Sequence, residues 1–162
     1  LRFFSENDIN DRYLSWLNDP EVVKYSNQRF ITHTFESSIA YLKTFKNSNN
    51  IFLAISPHDS SILIGTLTIY YSPQHQTADI GILVGEKSLW GNGYGQDAWD
   101  TIIKLLSRLS GIRKITAGTI STNIGMVSLM LRSGMSFEAA KMEQELLNGV
   151  PVDLHYYAKF NR

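Results

Sequence analysis

Trp90-Gly91-Asn92-Gly93-Tyr94-Gly95-Gln96 decides how this chain is read, because of what stands on either side of it. Upstream, Asp79-Ile80-Gly81-Ile82-Leu83-Val84 is a short apolar run of strand length. Downstream, Ala98, Trp99, Ile102, Ile103, Leu106 and Leu109 recur at helical spacing. A glycine-rich turn that opens a helix presents unpaired backbone N–H groups at the positive end of the helix dipole. It therefore holds phosphate or pyrophosphate without a basic side chain, each favourable contact contributing about 0.3–1 kcal/mol. A Walker loop is excluded, since no Gly-Lys-Ser/Thr follows. Gly93 to Ala98 matches the dinucleotide pattern G-x-G-x-x-A, but the acid needed for the ribose is missing. The next strand, Lys114 to Ile120, runs into Ser121-Thr122-Asn123 instead. A glycine turn with no ligand has the same local pattern, so the rest of the chain must arbitrate.

The composition narrows the classes. At 162 residues the chain reads as a single domain, 1–162, able to bury a real core. Its 43% hydrophobic and 12% aromatic content argue against disorder. Fifteen basic and fifteen acidic residues cancel, which disfavours a nucleic-acid partner. No apolar stretch approaches the ~20 residues of a membrane-spanning helix, no signal peptide is visible, and a cytoplasmic location is expected. With no cysteine there is no disulfide framework, thiol nucleophile or thiolate metal site. His33, His58, His75 and His155 have no metal-ligand spacing, so no metal is expected.

Element signals run the length of the chain. Leu1 to Phe4 reads as the end of a first strand. A helix carrying Ile9, Tyr13, Leu14 and Leu17 would start at Asn7 or Asp8. Asp19 would cap a second short helical turn with Pro20 at its first position. Thr34 would cap a helix presenting Phe35, Ile39, Leu42 and Phe45. Strands follow at 51–55, 62–71 and 78–84, then the glycine loop and its helix, a strand at 114–120 and a helix through Met126, Val127, Met130 and Leu131. Asn148-Gly149 joins the last two strand-like runs, 135–147 and 150–160, as a two-residue hairpin. The order is β-α-α-β-β-β-α-β-α-β-β, which a mixed sheet with helices on its faces satisfies.

That order, with the glycine loop after the fourth strand, resembles the GNAT N-acetyltransferases over essentially the whole chain. Gly93 and Gly95 fit the last positions of the family's Gln/Arg-x-x-Gly-x-Gly/Ala loop, with Trp90 where Gln or Arg is usual. The branch it looks like, the ribosomal-protein acetyltransferases, often has an aromatic there. Three further segments agree: Tyr13-Leu14-Ser15-Trp16-Leu17-Asn18-Asp19-Pro20-Glu21-Val22; Asn123 with Gly134-Met135 eleven residues on; and Glu138 with the hairpin Asn148 to Asp153. The resemblance implies an α/β GNAT fold, a mixed sheet of about seven strands with helices on both faces. It implies acetyl-CoA as co-substrate, its pantetheine pairing with the backbone of Ile82, Leu83 and Val84. The pyrophosphate would lie on the N–H groups of Gly91, Asn92, Gly93, Tyr94, Gly95 and Gln96, with Trp90 and Asn123 as further coenzyme-site residues.

The same resemblance bears on the chemistry. The family's thiolate-protonating Tyr falls at Met130, and a Ser used by some members falls at Met126, so Ser128, Tyr94 or water would have to substitute. Asp79, Glu86 and His75 flank the fourth strand as candidate bases. Each is also an ordinary strand-end, loop or turn residue. Residues 13–29 resemble acetyltransferases of surface-polysaccharide and sugar-nucleotide pathways, which implies a nucleotide-linked amino sugar as acceptor, with Trp16, Tyr25 and Arg29 as binding residues. Trp16 also fits a core aromatic, and Arg29 an exposed loop cation. A protein N-terminus is the alternative acceptor, and a non-catalytic acyl-CoA-binding module the alternative class. The partner expected is a small-molecule amine, the protein being a monomer or homodimer.

Overall fold

The computed structural model describes residues 1–161. The elements are β1 (Arg2–Phe3), α1 (Asp11–Leu17), α2 (Phe35–Lys46), β2 (Ile51–Ile55), β3 (Gly65–Ser72), β4 (Thr77–Val84), α3 (Tyr94–Leu106), β5 (Lys114–Ile120), α4 (Ile124–Arg132), β6 (Ser136–Leu147) and β7 (Val150–Phe160). The order is the one expected. Among the described residues, seven strands form one sheet, β1-β2-β3-β4-β5-β7-β6, antiparallel except for β4 beside β5.

Strand alternation divides the residues between two cores. Ala78 and Ile80 of β4 and Ile115 and Ala117 of β5 face α3, whose Ala98, Trp99, Ile102, Ile103 and Leu106 are buried against them. Each large apolar side chain buried there contributes about 1.5–3 kcal/mol. On the opposite face, Phe52, Ala54 and Leu83 meet Tyr13, Trp16 and Leu17 of α1 and Leu42 and Phe45 of α2.

Local signals explain most boundaries. Thr34 caps α2, accepting from the Ser37 N–H at 3.2 Å while Ser37 Oγ accepts from the Thr34 N–H at 2.9 Å. As expected, Asp19 caps one short helical turn, its Oδ1 accepting from the Glu21 N–H at 2.9 Å and its carbonyl from the Val23 N–H at 3.1 Å. Asn148 (φ 52°) and Gly149 (φ 79°) make the two-residue turn between β6 and β7, the left-handed pair that suits a hairpin's twist.

Three boundaries differ from expectation. Asn10, not Asn7 or Asp8, caps α1, its Oδ1 accepting from the Tyr13 N–H at 3.1 Å. Asp8 instead accepts from Arg2 and Ser5. β3 begins at Gly65 rather than Ile62. Ile64 is drawn off its register by bonds from its N–H to Ile55 and from Gly85 and Glu86 to its carbonyl. α3 stops at Leu106, leaving Leu109 exposed, because the chain turns there through the Ile112 N–H to the Leu109 carbonyl at 3.0 Å.

Two predictions follow from this packing. A Cβ on Gly85 would lie 2.1 Å from Trp16 Cδ2, so Gly85→Ala is expected to cost about 1–3 kcal/mol by overpacking. In a thermal melt that is about 2–4 °C of Tm per kcal/mol. At Asp8, burial opposes ionisation, but the bonds from Arg2 and Ser5 outweigh it and hold the carboxyl below its ordinary value. Its stabilising contribution is therefore complete above the unfolded value of about 3.9 and lost as pH falls through the folded one. Urea unfolding from pH 7 to 2 checks this: Asp8→Asn is expected to lower stability at neutral pH and to reduce the acid dependence.

Candidate active site

β4 and β5 pair over only three positions, Thr77–Lys114, Ala78–Ile115 and Asp79–Thr116, and then part. β4 remains paired with β3 up to Val84. The Gly85 N–H reaches Ile64 on the β3 side, and the Gln76 carbonyl accepts from Arg113 on the β5 side. Odd-numbered β4 residues thus bond to β3, and Ile82 and Val84 direct their backbone groups at the gap. The gap opens into a cavity of about 1120 Å³. Its walls come from both faces of the sheet: Met126, Leu129 and Arg132 of α4 on one side, and the 21–27 segment with Glu145 and Leu154 on the other.

The glycine loop roofs this slot. Gly91 (φ 79°) and Gly93 (φ 88°) take left-handed conformations, which a side chain would strain. Gly93 is the N-cap of α3, and no side chain caps the helix. Tyr94, Gly95 and Gln96 therefore present first-turn N–H groups toward the cavity they line. A Cβ on Gly95 would meet Val84 Cγ2 at 3.3 Å, so glycine also lets α3 approach β4. The Trp90 indole donates to the Val84 carbonyl at 2.8 Å, fixing the loop to the end of the strand. Asn123 caps α4 through Met126 N–H (3.2 Å) and donates to Thr119 Oγ1 (3.1 Å) while lining the slot. Arg132 is steadied by its Nε bond to Gln96 Oε1 at 3.0 Å. Unpaired N–H groups at a positive helix end, beside a free strand edge, fit a pyrophosphate joined to an extended amide-bearing arm.

The slot gathers Ile82, Leu83, Val84, Trp90, Gly91, Gly93, Tyr94, Gly95, Gln96, Asn123 and Tyr25. Asn92 lies outside its lining, its side chain turned back to the Ser88 carbonyl. Trp16 is a core residue, 6% exposed and packed over Gly85. Arg29 does not line the slot. It ties the 26–30 turn to β6, donating to the Ser26 carbonyl (2.8 Å) and the Leu146 carbonyl (3.1 Å), 3.8 Å from the Glu145 carboxylate.

The three carboxylate and imidazole candidates also lie outside the lining. Glu86 is held below its usual range by Arg12 at 2.6 Å and by Ser88. His75 is exposed in the turn before β4. Asp79 stands at the last β4–β5 pair, where the surrounding protein atoms push its carboxyl up although the residue stays open to solvent on its outer side, opposed by the Thr116 hydroxyl at 2.7 Å. Met130, at the position of the absent Tyr, is fully buried in the α3–α4 core; Met126 and Leu129 line the slot instead. Of the substitute hydroxyls, Tyr94 lines the slot and Ser128 does not. Sequence reading missed Lys24, Glu145 and Leu154. They reach the site only through the 21–27 turn and the β7–β6 pairing, and no local motif marks them.

A sheet splayed between parallel neighbours beneath a glycine-opened helix defines an acyl-coenzyme A-binding fold. The model of the acetyltransferase (GNAT) domain matches residues 1–136, and the chain belongs to that family. It is an N-acetyltransferase with acetyl-CoA as co-substrate. Solved structures share the fold at low identity. The microcin C7 self-immunity acetyltransferase MccE, in complex with acetyl-CoA and AMP, is 19% identical with a TM-score of 0.81, over 96% of this chain and 88% of that one. RimL, a ribosomal L7/L12 α-N-protein acetyltransferase in complex with coenzyme A, is 16% identical with a TM-score of 0.84 over 99% and 92%. Spermidine N-acetyltransferase from Vibrio cholerae, with CoA and spermine, is 16% identical with a TM-score of 0.87 over 99% and 94%. No curated protein matches the chain by sequence. Among the described residues, no helix is long and apolar enough to cross a membrane.

A Cβ on Gly93 has no neighbour within 4 Å, so Gly93→Asp meets only the left-handed backbone cost of about 1–2 kcal/mol. It is expected to leave the fold intact and abolish coenzyme A binding by calorimetry, because it sets an anion against the pyrophosphate. Gly93→Ala is expected to retain most of the affinity.

Proposed function

We propose that the chain transfers acetyl directly to the primary amine of a nucleotide-linked amino sugar, with Glu145 as the general base. The observation that carries this reading is the charge arrangement on the acceptor wall. Glu21 is paired with Lys87 at 2.8 Å and Glu145 with Arg29 at 3.8 Å. Lys24 lies 5.1 Å above the Tyr25 ring and has no carboxylate partner among the described residues. Lys87 is shared with Asp19, also at 2.8 Å, but every acid of this wall has a cationic neighbour while Lys24 is left uncommitted, which suits an anionic acceptor better than a polyamine. Lys24, rather than Arg29, binds a phosphate of the nucleotide in this reading, and Tyr25 offers a flat face beside it. MccE, solved with AMP, is an acetyltransferase of this fold that accommodates a nucleotide.

When bound, acetyl-CoA supplies an activated acetyl group and a sulfur leaving group whose free thiol has a pKa of about 8.5. The first-turn N–H groups of α3 hold the pyrophosphate, and the Ile82 and Val84 edge orients the arm. Glu145 accepts the ammonium proton, directly or through one water, so that the amine enters neutral. A lysine-like amine, with pKa ~10.4, costs about 4–5 kcal/mol to deprotonate at pH 7. An amino-sugar amine is less basic and suits a base whose carboxylate is already ion-paired. Transfer is direct, because the chain has no cysteine to carry the acyl group and no hydroxyl in an activating triad.

Glu145→Gln is expected to lower kcat/KM by about 10²–10⁴-fold, with coenzyme A affinity unchanged by calorimetry. Tyr94→Phe is expected to slow turnover by less than about 10-fold, since the thiolate leaves without a strong acid. A panel of amino-sugar nucleotides, spermidine and an alanyl peptide tests the acceptor. Turnover is expected first with the sugars; rapid peptide or polyamine acetylation with inert sugars would contradict the reading.

A further inference from the structure

The surface that leads from the acceptor amine continues past Gly81. Gly81 and Gly118 stand two residues beyond the last β4–β5 pair, one on each side of the opening, and both line the slot. Neither has a positive φ, so glycine provides room there rather than backbone freedom. Alternation puts Asp79 on the same side of the sheet as Gly81, and Thr116 on the same side as Gly118. Contacts across the sheet agree. Thr116 Oγ1 donates to Asp79 Oδ1 at 2.7 Å, and the hydroxyl of Tyr70, the β3 partner of Asp79, meets that of Tyr41 on α2 at 2.8 Å. A Cβ on Gly118 would touch the Tyr156 ring at 3.2 Å.

This side is uncovered where the other is packed. Asp79 and Gly118 are exposed, while Ala78, Ile80, Ile115 and Ala117 are at most 2% exposed beneath α3. α1 and α2 pack over β2, β3 and the Leu83 end of β4, and leave a strip along the Asp79 end of β4, β5 and β7 open. The strip holds a carboxylate backed by a hydroxyl, a tyrosine ring with the Lys141 ammonium 5.4 Å from its centroid, and a floor of two glycines. Carboxylate and hydroxyl acceptors beside an aromatic face are what a ring bearing several hydroxyls requires.

We propose that this strip is a second acceptor subsite, in which Asp79 and Thr116 hydrogen-bond the hydroxyls of the sugar ring whose amine is presented beside Gly81, and Tyr156 forms its wall. It rests on the amino-sugar reading above. The Cα atoms of Asp79 and Gly81 are about 7 Å apart along the strand, a span that one pyranose ring with its substituents bridges. Asp79 acts here in specificity, two residues from the reacting end.

The test is steady-state kinetics with acetyl-CoA and a panel of uridine-diphosphate-linked amino hexoses, using the wild type, Asp79→Asn and Thr116→Val. Circular dichroism and coenzyme A calorimetry confirm each variant's fold. The expected result is a KM for the sugar raised 10-fold or more in Asp79→Asn and several-fold in Thr116→Val, with kcat within about twofold. Should Asp79→Asn fail to fold, the Thr116→Val result decides. Turnover of a sugar with KM unchanged in the folded variants would overturn the subsite and leave the amino-sugar acceptor standing. A wild type inert toward every sugar in the panel would overturn the acceptor reading, and the subsite with it.

Discussion

Everything functional in this molecule depends on the parallel contact between β4 and β5 ending at Asp79–Thr116. A continuous sheet would satisfy the backbone of residues 81–84 internally and leave no slot. Because the strands part, Ile82 and Val84 keep groups that need a partner, and buried backbone groups rarely go without one. An extended ligand arm meets that demand at the same depth at which α3 begins. The Trp90 indole on the Val84 carbonyl closes the far end of this edge and sets where the glycine loop starts.

The slot crosses the sheet, and that division organises the chemistry. On the side of α3 and α4, N–H groups and Arg132 await an anion. On the side of α1 and α2, the 21–27 segment, Glu145 and Leu154 form the wall of the slot, where the proposed acceptor amine enters. Arg29 spans the second side, joining the turn at Ser26 to β6 at Leu146. It thereby steadies the wall that carries Glu145.

Much of this was legible in the sequence, and the reason is locality. The glycine loop, the strand before it and the helix after it are contiguous, so periodicity and turn chemistry identify them together. The Asn148-Gly149 hairpin and the Thr34 cap are equally local. Glu145 was illegible because it reaches the slot through the pairing of β6 with β7, beyond the strand that lines it. Trp16 carried a substrate-binding expectation, yet Gly85 leaves the space its ring fills, a contact across 69 positions that no pattern displays. Met130 shows the same limit: matching it to a family position did not reveal that its side chain turns into the core. Asp79 reads in sequence as a candidate base, but it sits two residues before Gly81, outside the lining of the slot.

The central claim is that the splayed strands and the glycine-opened helix together hold acetyl-CoA. Amide hydrogen exchange, measured with and without coenzyme A, tests it most directly. The account predicts new protection at the Ile82 and Val84 amides and at Tyr94, Gly95 and Gln96, with β1 and β2 unchanged. Coenzyme A binding that left those five amides unprotected, or that protected a different surface, would contradict it.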